Sequence, residues 1–385
     1  MSQTPRADTP HPAQPGGGRS AQLAHTGLRP GWTTGACATA AASAAWTALL
    51  DGDFPDPVTI VLPKGQTPAF ALTAHELVGA PGAGPARAMA AVTKDAGDDP
   101  DVTHGAVIRV ELRRGEPGSG VRFEAGAGVG TVTLPGLPLA VGEPAINPVP
   151  RRMITEHLQR IAAERGAVAD VVVRVGVDDG AAIAQHTWNP RLGILGGLSI
   201  LGTTGVVVPY SCAAWIDSIH RGIDVARALG NDHVAGCTGS TSERVVTELY
   251  GLPETSLLDM GDFVGAVLKH LRRHPVPRLT ICGGFAKLSK LAAGHLDLHS
   301  GRSRVDKALL SRLSREAGGD EALARAIDAA TTGLGALQLA QAAGVPLGDA
   351  VARAARAEAQ GVLGAAPVVV DVVCIDRGGT IVGRS

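Results

Sequence analysis

From residue 192 to residue 216 the chain carries no charged side chain, a run longer than the roughly 20 apolar residues that a helix needs to cross a bilayer. Five glycines (Gly193, Gly196, Gly197, Gly202 and Gly205), Pro209 and several Ser and Thr residues interrupt it. Glycine and proline are the poorest helix formers, so the run reads as a buried glycine-rich loop inside a globular protein and no membrane partner is expected. With 45% apolar and 18% charged residues, burial can offset the chain entropy lost on folding. A length of 385 residues points to two domains of ordinary size. Aromatics supply only 3% against 51 glycines and 25 prolines, so backbone-defined loops rather than aromatic platforms should carry the chemistry.

The 35 Lys and Arg residues are balanced by 36 Asp and Glu, a net charge of -1, which leaves no cationic field for a nucleic-acid partner. Cys37, Cys212, Cys237, Cys282 and Cys374 are scattered and never form a C-x-x-C pair. Neither a disulfide framework nor a zinc knuckle is indicated, and a reducing cytoplasm fits. Residues 1–27 are rich in Pro, Gly and Ser and lack the apolar core of a secretory signal, so they read as a disordered tail.

Beyond the tail the rhythm changes once. A Thr33-Thr34 cap precedes an alanine-rich helix through residue 50. Short strand-like segments follow at 58–62, 69–73, 88–93, 106–112 and 121–125, then a helix at 148–165 and a strand at 168–177. This pattern predicts an α+β domain built on an antiparallel sheet over residues 28–190. The second half alternates: helix 213–229, strand 233–235, helices 240–250 and 259–272, strand 278–282, helices 304–316, 321–343 and 348–363, strand 368–375. That order predicts an α/β, Rossmann-like domain with a parallel sheet and C-terminal helices over 191–385. No internal repeat or heptad run is present.

Five segments could carry chemistry. Thr33 and Thr34 open a helix whose free N–H groups could hold a carboxylate or phosphate, or simply be capped. Cys37 lies in its first turn, where the dipole favours a thiolate but burial would leave it inert. The loop from Lys94 to Gly105 gathers Asp95, Asp98, Asp99, Asp101 and His104 without the alternating pattern of a calcium loop; it is either a solvated turn or an acid/base site led by Asp95 and His104. In the stretch from Asn189 to Gly205, Gly196 and Gly197 allow close backbone approach to a ligand, with Ser199, Thr203 and Thr204 as hydrogen-bonding hydroxyls. Glycine turns after two strands, Gly236 with Gly239 and Gly283 with Gly284, sit where an adenosyl cofactor would lie in an open α/β sheet, although plain connections also look this way. Finally, His295, Asp297 and His299 would share a face on a strand and could ligate a metal or wall a substrate, with Ser300, Lys287 and Lys290 nearby.

Taken together, these segments resemble the CbiD family of cobalt-precorrin-5B (C1)-methyltransferases over nearly the whole chain after the tail. The resemblance rests on residues 28–37, 94–105, 126–151 with Pro144-Ala145-Ile146-Asn147-Pro148-Val149-Pro150-Arg151, 189–205 and 290–300. Where the family pattern expects a lysine in the second turn of the early helix, this chain has Ser43 and alanines. The resemblance implies a CbiD-like fold, S-adenosyl-L-methionine as methyl donor, and a cobalt-bearing tetrapyrrole methylated at C1 to give cobalt-precorrin-6A. Cobalt would arrive inside the substrate, so no protein metal site is implied. Asp95, Asp98 and His104 become catalytic candidates. Arg29, Arg151, Arg191, Lys287 and Lys290 become partners for the substrate carboxylates, with Thr33, Thr34, Asn147, His295, His299 and Ser300 as further substrate contacts.

Two other readings stand beside it. A nucleotide-dependent oxidoreductase could use the Gly236 or Gly283 turn, but a full G-x-G-x-x-G is missing. A non-catalytic tetrapyrrole carrier would bind the macrocycle without a methyl donor. Whether the chain forms a homo-oligomer stays open.

Overall fold

The structure, a computed structural model, describes residues 27–80 and 84–385; the tail expected over residues 1–27 lies, except for Gly27, outside them. Strand β1 (Gly31–Trp32) runs into helix α1 (Thr34–Asp51). Thr33 caps α1 by accepting a hydrogen bond from the Ala36 N–H, and Gly52 ends it at φ +85°, a left-handed conformation that a Cβ disfavours. Its alanines are buried almost all the way round.

The chain continues through β2 (Val58–Thr59), β3 (Ala69–Phe70), β4 (Ala74–Ala80), β5 (Gly84–Thr93), β6 (Val107–Arg114), β7 (Val121–Ala125), β8 (Thr131–Val132), α2 (Pro148–Glu164), β9 (Val171–Val177), α3 (Gly180–Ala184), β10 (Ile194–Leu195) and β11 (Val206–Val207). Five strands form one sheet in the order β4-β5-β6-β9-β7. Its pairs are antiparallel except β7 with β9. Alternate residues of β6 (Ile108, Val110, Leu112) are buried in the core that also holds α1 and α2. Strand β4 escaped the sequence reading because it is the exposed edge, where His75 and Glu76 face water and break the apolar alternation. The glycine-rich stretch belongs to this same body. Its β10 pairs with β8, its β11 pairs with β1, and Leu198 and Ile200 sit in the α1 core.

After residue 211 come α4 (Cys212–Ala228), β12 (His233–Cys237), α5 (Ser240–Tyr250), β13 (Leu257–Asp259), α6 (Val264–Arg273), β14 (Arg278–Gly284), α7 (Phe285–Ala292), α8 (Lys307–Glu316), α9 (Glu321–Ala329), α10 (Gly333–Ala342), α11 (Leu347–Leu363), β15 (Val369–Ile375) and β16 (Ile381–Arg384). The second sheet has the order β13-β12-β14-β15-β16, parallel up to β15, with β16 antiparallel. Val234, Leu279, Ile281, Val370 and Val372 face a core shared with α4, α6, α7, α8 and α11. Ala235, Cys237, Cys282, Val373 and Ile375 face α5 on the other side. Burial on both faces explains why these strands read as unbroken apolar runs, and the whole is a mixed α/β protein.

Two expected helices differ. The one placed at 259–272 starts only at Val264, because Leu257–Asp259 joins the sheet as an edge strand. The one placed at 321–343 is two helices, since Ala330 is extended (φ -60°, ψ 140°) and Thr332 caps a new start by accepting from the Gly335 N–H.

Candidate active site

The connection leaving β12 (α5) packs on one face of the sheet and the one leaving its neighbour β14 (α7 onward) on the other, so a crevice opens beyond the carboxyl ends of these two strands. A cavity of about 380 Å³ occupies it, within the range of small-molecule sites. Its walls come from the turn after β12 (Thr238 to Ser242), from Gly284 to Lys287 after β14, from Leu334 and Leu337 of α10, and from Ile375, Asp376 and Arg377 after β15. Gly239 has φ +154° and ψ 178°, a conformation open essentially to glycine alone. A Cβ on Gly239 or Gly284 would meet no atom within 4 Å, so both leave open space. Lys287 donates from Nζ to the Thr238 carbonyl at 3.2 Å and pairs with Asp262 at 3.2 Å, tying the two turns together. Gly236 and Gly283, expected here, lie inside β12 and β14 instead. A Cβ on Gly236 would sit 2.9 Å from the Met260 sulfur, and one on Gly283 would crowd the Thr238 side chain, so they serve packing rather than ligand approach.

A second cluster forms where the chain start meets the Lys94 to Gly105 loop. A Cβ on Gly31 would overlap the Ala96 carbonyl, and one on Gly97 would overlap the Arg29 carbonyl, so only glycines let the two backbones touch. The Trp32 N–H donates to the Asp95 carbonyl at 2.7 Å; the Arg29 N–H donates to Asp98 Oδ2 at 2.6 Å. The Arg29 guanidinium grips Asp95 through both terminal nitrogens. That hydrogen-bonded pairing, helped by the Gly97 N–H, pulls the Asp95 carboxyl down to about 2. Asp95 is thus a poor proton acceptor near neutrality. His104 Nδ1 accepts from the Ala96 N–H at 3.1 Å and lies 3.9 Å from Asp95, so the neutral ring carries its proton on Nε2 and presents a donor. Asp98 is exposed, and among the described residues its second oxygen takes no hydrogen bond. Lys94, 2% exposed, anchors the loop from below through Asp101 at 2.6 Å.

Several expected site residues are occupied by the fold itself. Thr33 and Thr34 are buried: Thr33 Oγ1 is the cap, and Thr34 Oγ1 accepts from the Leu201 N–H while the Gly35 N–H donates to the Leu201 carbonyl. The glycine-rich stretch therefore plugs the helix start, which is the capped helix of the two readings and not the anion site. Cys37 is fully buried, and burial pushes its thiol up to about 12. Ser199 donates to Asn189, which donates to the Gly197 carbonyl, and a Cβ on Gly197 would overlap Gly128. Thr204 closes a local turn with Val206, leaving Gly196 and Thr203 exposed. Arg151 spends its guanidinium on the Ile146 and Pro144 carbonyls and on Glu143. Asn147 precedes α2 and donates its N–H to the Ile200 carbonyl, and among the described residues its side chain makes no hydrogen bond.

In the second body Lys290 is 7% exposed and donates to the Leu298 carbonyl at 2.7 Å, so its ammonium is engaged within the fold. Arg191 is likewise consumed, by Glu243 and Glu254. The segment from His295 to Ser300 is not a strand. His295, His299 and Ser300 are exposed, but Asp297 pairs with Arg302 at 2.6 Å and accepts from the His299 N–H, so the imidazoles do not share a metal-binding face. Tyr210 to Cys212 spans from the Lys94 to Gly105 loop to the segment after His295: the Tyr210 N–H donates to Asp99, and Cys212 Sγ lies 4.0 Å from Arg302, which holds Asp297.

Two family models match the chain, CbiD over residues 21–209 and the CbiD C-terminal domain over residues 297–385. A relative from Paramagnetospirillum magneticum is 60% identical over 356 residues, covering 92% of this chain and 98% of its own. The chain belongs to the CbiD family. Relatives from Rhodospirillum rubrum (60% identity, 93% of this chain and 97% of theirs) and Brucella anthropi (58%, 93% and 95%) carry the same name as the first, cobalt-precorrin-5B C(1)-methyltransferase. A solved structure, the cobalamin biosynthesis protein CbiD from Archaeoglobus fulgidus, is 28% identical over 71% of this chain and 83% of its own, with a TM-score of 0.39.

Sequence reasoning missed the far wall of the cavity in this CbiD protein. Asp376 and Arg377 follow an apolar strand and precede Gly378-Gly379, a turn signal at a strand end that could have marked them. Tyr210, 68% exposed at φ +56°, left no comparable signal, because nothing in a Val-Pro-Tyr-Ser run reveals a left-handed residue.

Proposed function

We propose that this chain transfers a methyl group from S-adenosylmethionine to C1 of cobalt-precorrin-5B, giving cobalt-precorrin-6A during assembly of the corrin ring. The observation that carries this reading is the shared name of relatives 60% identical over more than nine tenths of both chains. The cavity at the strand ends is the donor site of this proposal. Its volume suits such a molecule, and Gly239 and Gly284 leave space that any side chain would fill. When bound, the donor supplies an electrophilic methyl on a sulfonium. Phe285, Leu334, Leu337 and Ile375 offer apolar walls, while Asp376 and Arg377 form a polar end.

Transfer from sulfonium to carbon is an in-line displacement, so the protein's main task is to hold both partners close and aligned, which supplies up to roughly 7–11 kcal/mol. The free oxygen of Asp98 is the proton acceptor in this reading, Asp95 keeps Arg29 in place, and His104 offers its Nε2 proton to an acceptor oxygen. The tetrapyrrole brings its own cobalt as substrate. Its carboxylates would meet exposed basic groups such as Arg29, with Asn147 and His299 within the same reading. We also infer two domains, the second Rossmann-like. The division is placed between Val207 and Cys212 rather than at 190/191, because β10 and β11 pair with the first body. A cytoplasmic setting fits five free thiols, four of them buried. Among the described residues no helix is long and apolar enough to cross a membrane.

The test is incubation with cobalt-precorrin-5B and methyl-labelled donor, followed by mass analysis; a product without the labelled methyl would refute the proposal. Gly239→Val should abolish donor binding measured by calorimetry. Asp98→Asn should lower kcat about 100-fold with donor affinity intact, as for loss of a general base, and an unchanged kcat removes Asp98 from that role.

A further inference from the structure

Arg191 joins the two bodies through Glu243, the residue that follows the Thr238 to Ser242 wall of the donor cavity. Its Nη1 and Nη2 donate to Glu243 Oε1 and Oε2 at 2.6 and 2.9 Å, and its Nε lies 3.2 Å from Glu254 Oε1. The side chains of Arg191 and Glu243 are 27% and 13% exposed, so this bidentate pair is shielded from the solvent competition that makes surface pairs weak. The guanidinium also stacks 5.0 Å over the Trp188 ring, which fixes its plane.

Both ends of the pair are rigidly placed. On one side Arg191 sits in a short turn, Pro190–Leu192, closed by Gly193 at φ +70°. The preceding Asn189 is buried and locked by Ser199 and the Gly197 carbonyl, within the first body. On the other side Glu243 lies in the first turn of α5, and its N–H donates to the Gly239 carbonyl at 3.1 Å. Gly239 is the glycine whose unusual backbone shapes the cavity wall from Thr238 to Ser242. Any displacement of Glu243 is therefore a displacement of that wall. Asp259, at the end of β13, adds a reason for the cation: burial and the neighbouring Glu243 push its carboxyl up, while Arg191 and Lys287 oppose this.

We infer that Arg191 is a positioning residue that acts through Glu243, locking the start of α5 against the first body so that the donor cavity is preformed. This rests on the donor site proposed above and extends it, since Arg191 touches neither the cavity nor, with all its nitrogens engaged, a substrate carboxylate. Without its charge, the repulsion between Glu243 and Asp259 would be opposed by Lys287 alone among nearby cations of the described residues, and the turn from Thr238 to Ser242 would relax.

The experiment compares the wild-type chain with Arg191→Met, Arg191→Lys and the charge-reversed pair Arg191→Glu/Glu243→Arg. Arg191→Met should raise the Kd for S-adenosylmethionine, measured by calorimetry, and its KM about tenfold, with kcat at saturating donor within about twofold. Hydrogen exchange of the ligand-free protein should accelerate at residues 238–243. Arg191→Lys should recover part of the affinity, because it restores the charge without the fork, and the reversed pair should recover more than either single change. Unchanged Kd and exchange in a folded Arg191→Met variant would overturn the inference. So would loss of kcat with unchanged Kd, the signature of a residue that meets the acceptor. If wild-type protein binds no donor while methylation proceeds from another source, the donor-site reading itself fails, and that outcome is read from the wild type alone.

Discussion

Lys94 and Asp101 form an ion pair whose two halves are unequally buried, and the inequality fixes what each substitution should cost. The Lys94 side chain is 2% exposed and that of Asp101 24%. Asp101 accepts from Lys94 Nζ at 2.6 Å and from Thr103 through its N–H at 2.7 Å and its hydroxyl at 2.6 Å. Asp101→Asn strands an ammonium without water, a change that costs about 3–5 kcal/mol. Lys94→Met keeps the apolar stem and leaves a carboxylate that still has Thr103 and access to solvent, at about 1–2 kcal/mol. A difference of about 2 kcal/mol corresponds to roughly 4–8 °C in melting temperature for a domain of this size. Thermal melts at pH 7 should therefore rank wild type above Lys94→Met above Asp101→Asn, and Lys94→Met/Asp101→Asn should melt above Asp101→Asn alone. Burial raises the Asp101 carboxyl, but Lys94 and Thr103 outweigh it and hold it below its usual range. The pair's contribution is thus complete above about pH 4, the unfolded carboxylate value, and is lost as pH falls further. If Lys94→Met melts lower than Asp101→Asn, burial is not what sets the cost.

Two further outcomes follow from the same kind of accounting. Gly31→Ala should destabilise by about 3 kcal/mol and reduce methyl transfer, because its Cβ would drive the Ala96 carbonyl away and open the Arg29–Asp95 contact; a melt and turnover equal to wild type would contradict the close approach. His157 is 6% exposed, accepts from the Val61 N–H and donates to the Met153 carbonyl, and burial holds its ring below the usual imidazole range. Its contribution is present above the unfolded value of about 6.5 and lost as pH falls through the lower folded one, so wild type should lose more melting temperature between pH 7.5 and 5 than His157→Gln does.

The elements most legible in the sequence were those whose own residues decide them. The helix from Ser240 to Tyr250 and the strand from Val121 to Ala125 have the expected bounds, and Thr33 caps α1 as its hydroxyl suggests. Strand β13 was hidden because Leu257 and Leu258 suit a helix equally well and only pairing with β12 makes them extended. The break at Ala330 was overlooked because Ala329 and Ala330 favour helix, although the Thr331-Thr332-Gly333 that follows is a cap signal. Among candidate site residues, Gly239, Gly284 and Lys287 do meet at one cavity, since a strand end followed by a helix start places them locally. Lys290, Arg151, Arg191 and Thr34 could not be judged in this way: each has the right chemistry for a ligand, and each is consumed by a partner remote in sequence or by a backbone carbonyl.

Local propensity and motif order are properties of the chain itself, so the residues alone determined the change from α+β to α/β rhythm and the family. Which polar groups remain free for a ligand depends on long-range partners. Leu201 stoppers α1, Ala96 turns His104 into a donor, and Arg29 takes Asp95 out of acid/base chemistry. Those three facts came only with the packed molecule, because hydrogen bonds between residues 8, 66 and 167 positions apart leave no trace in the spacing of either partner.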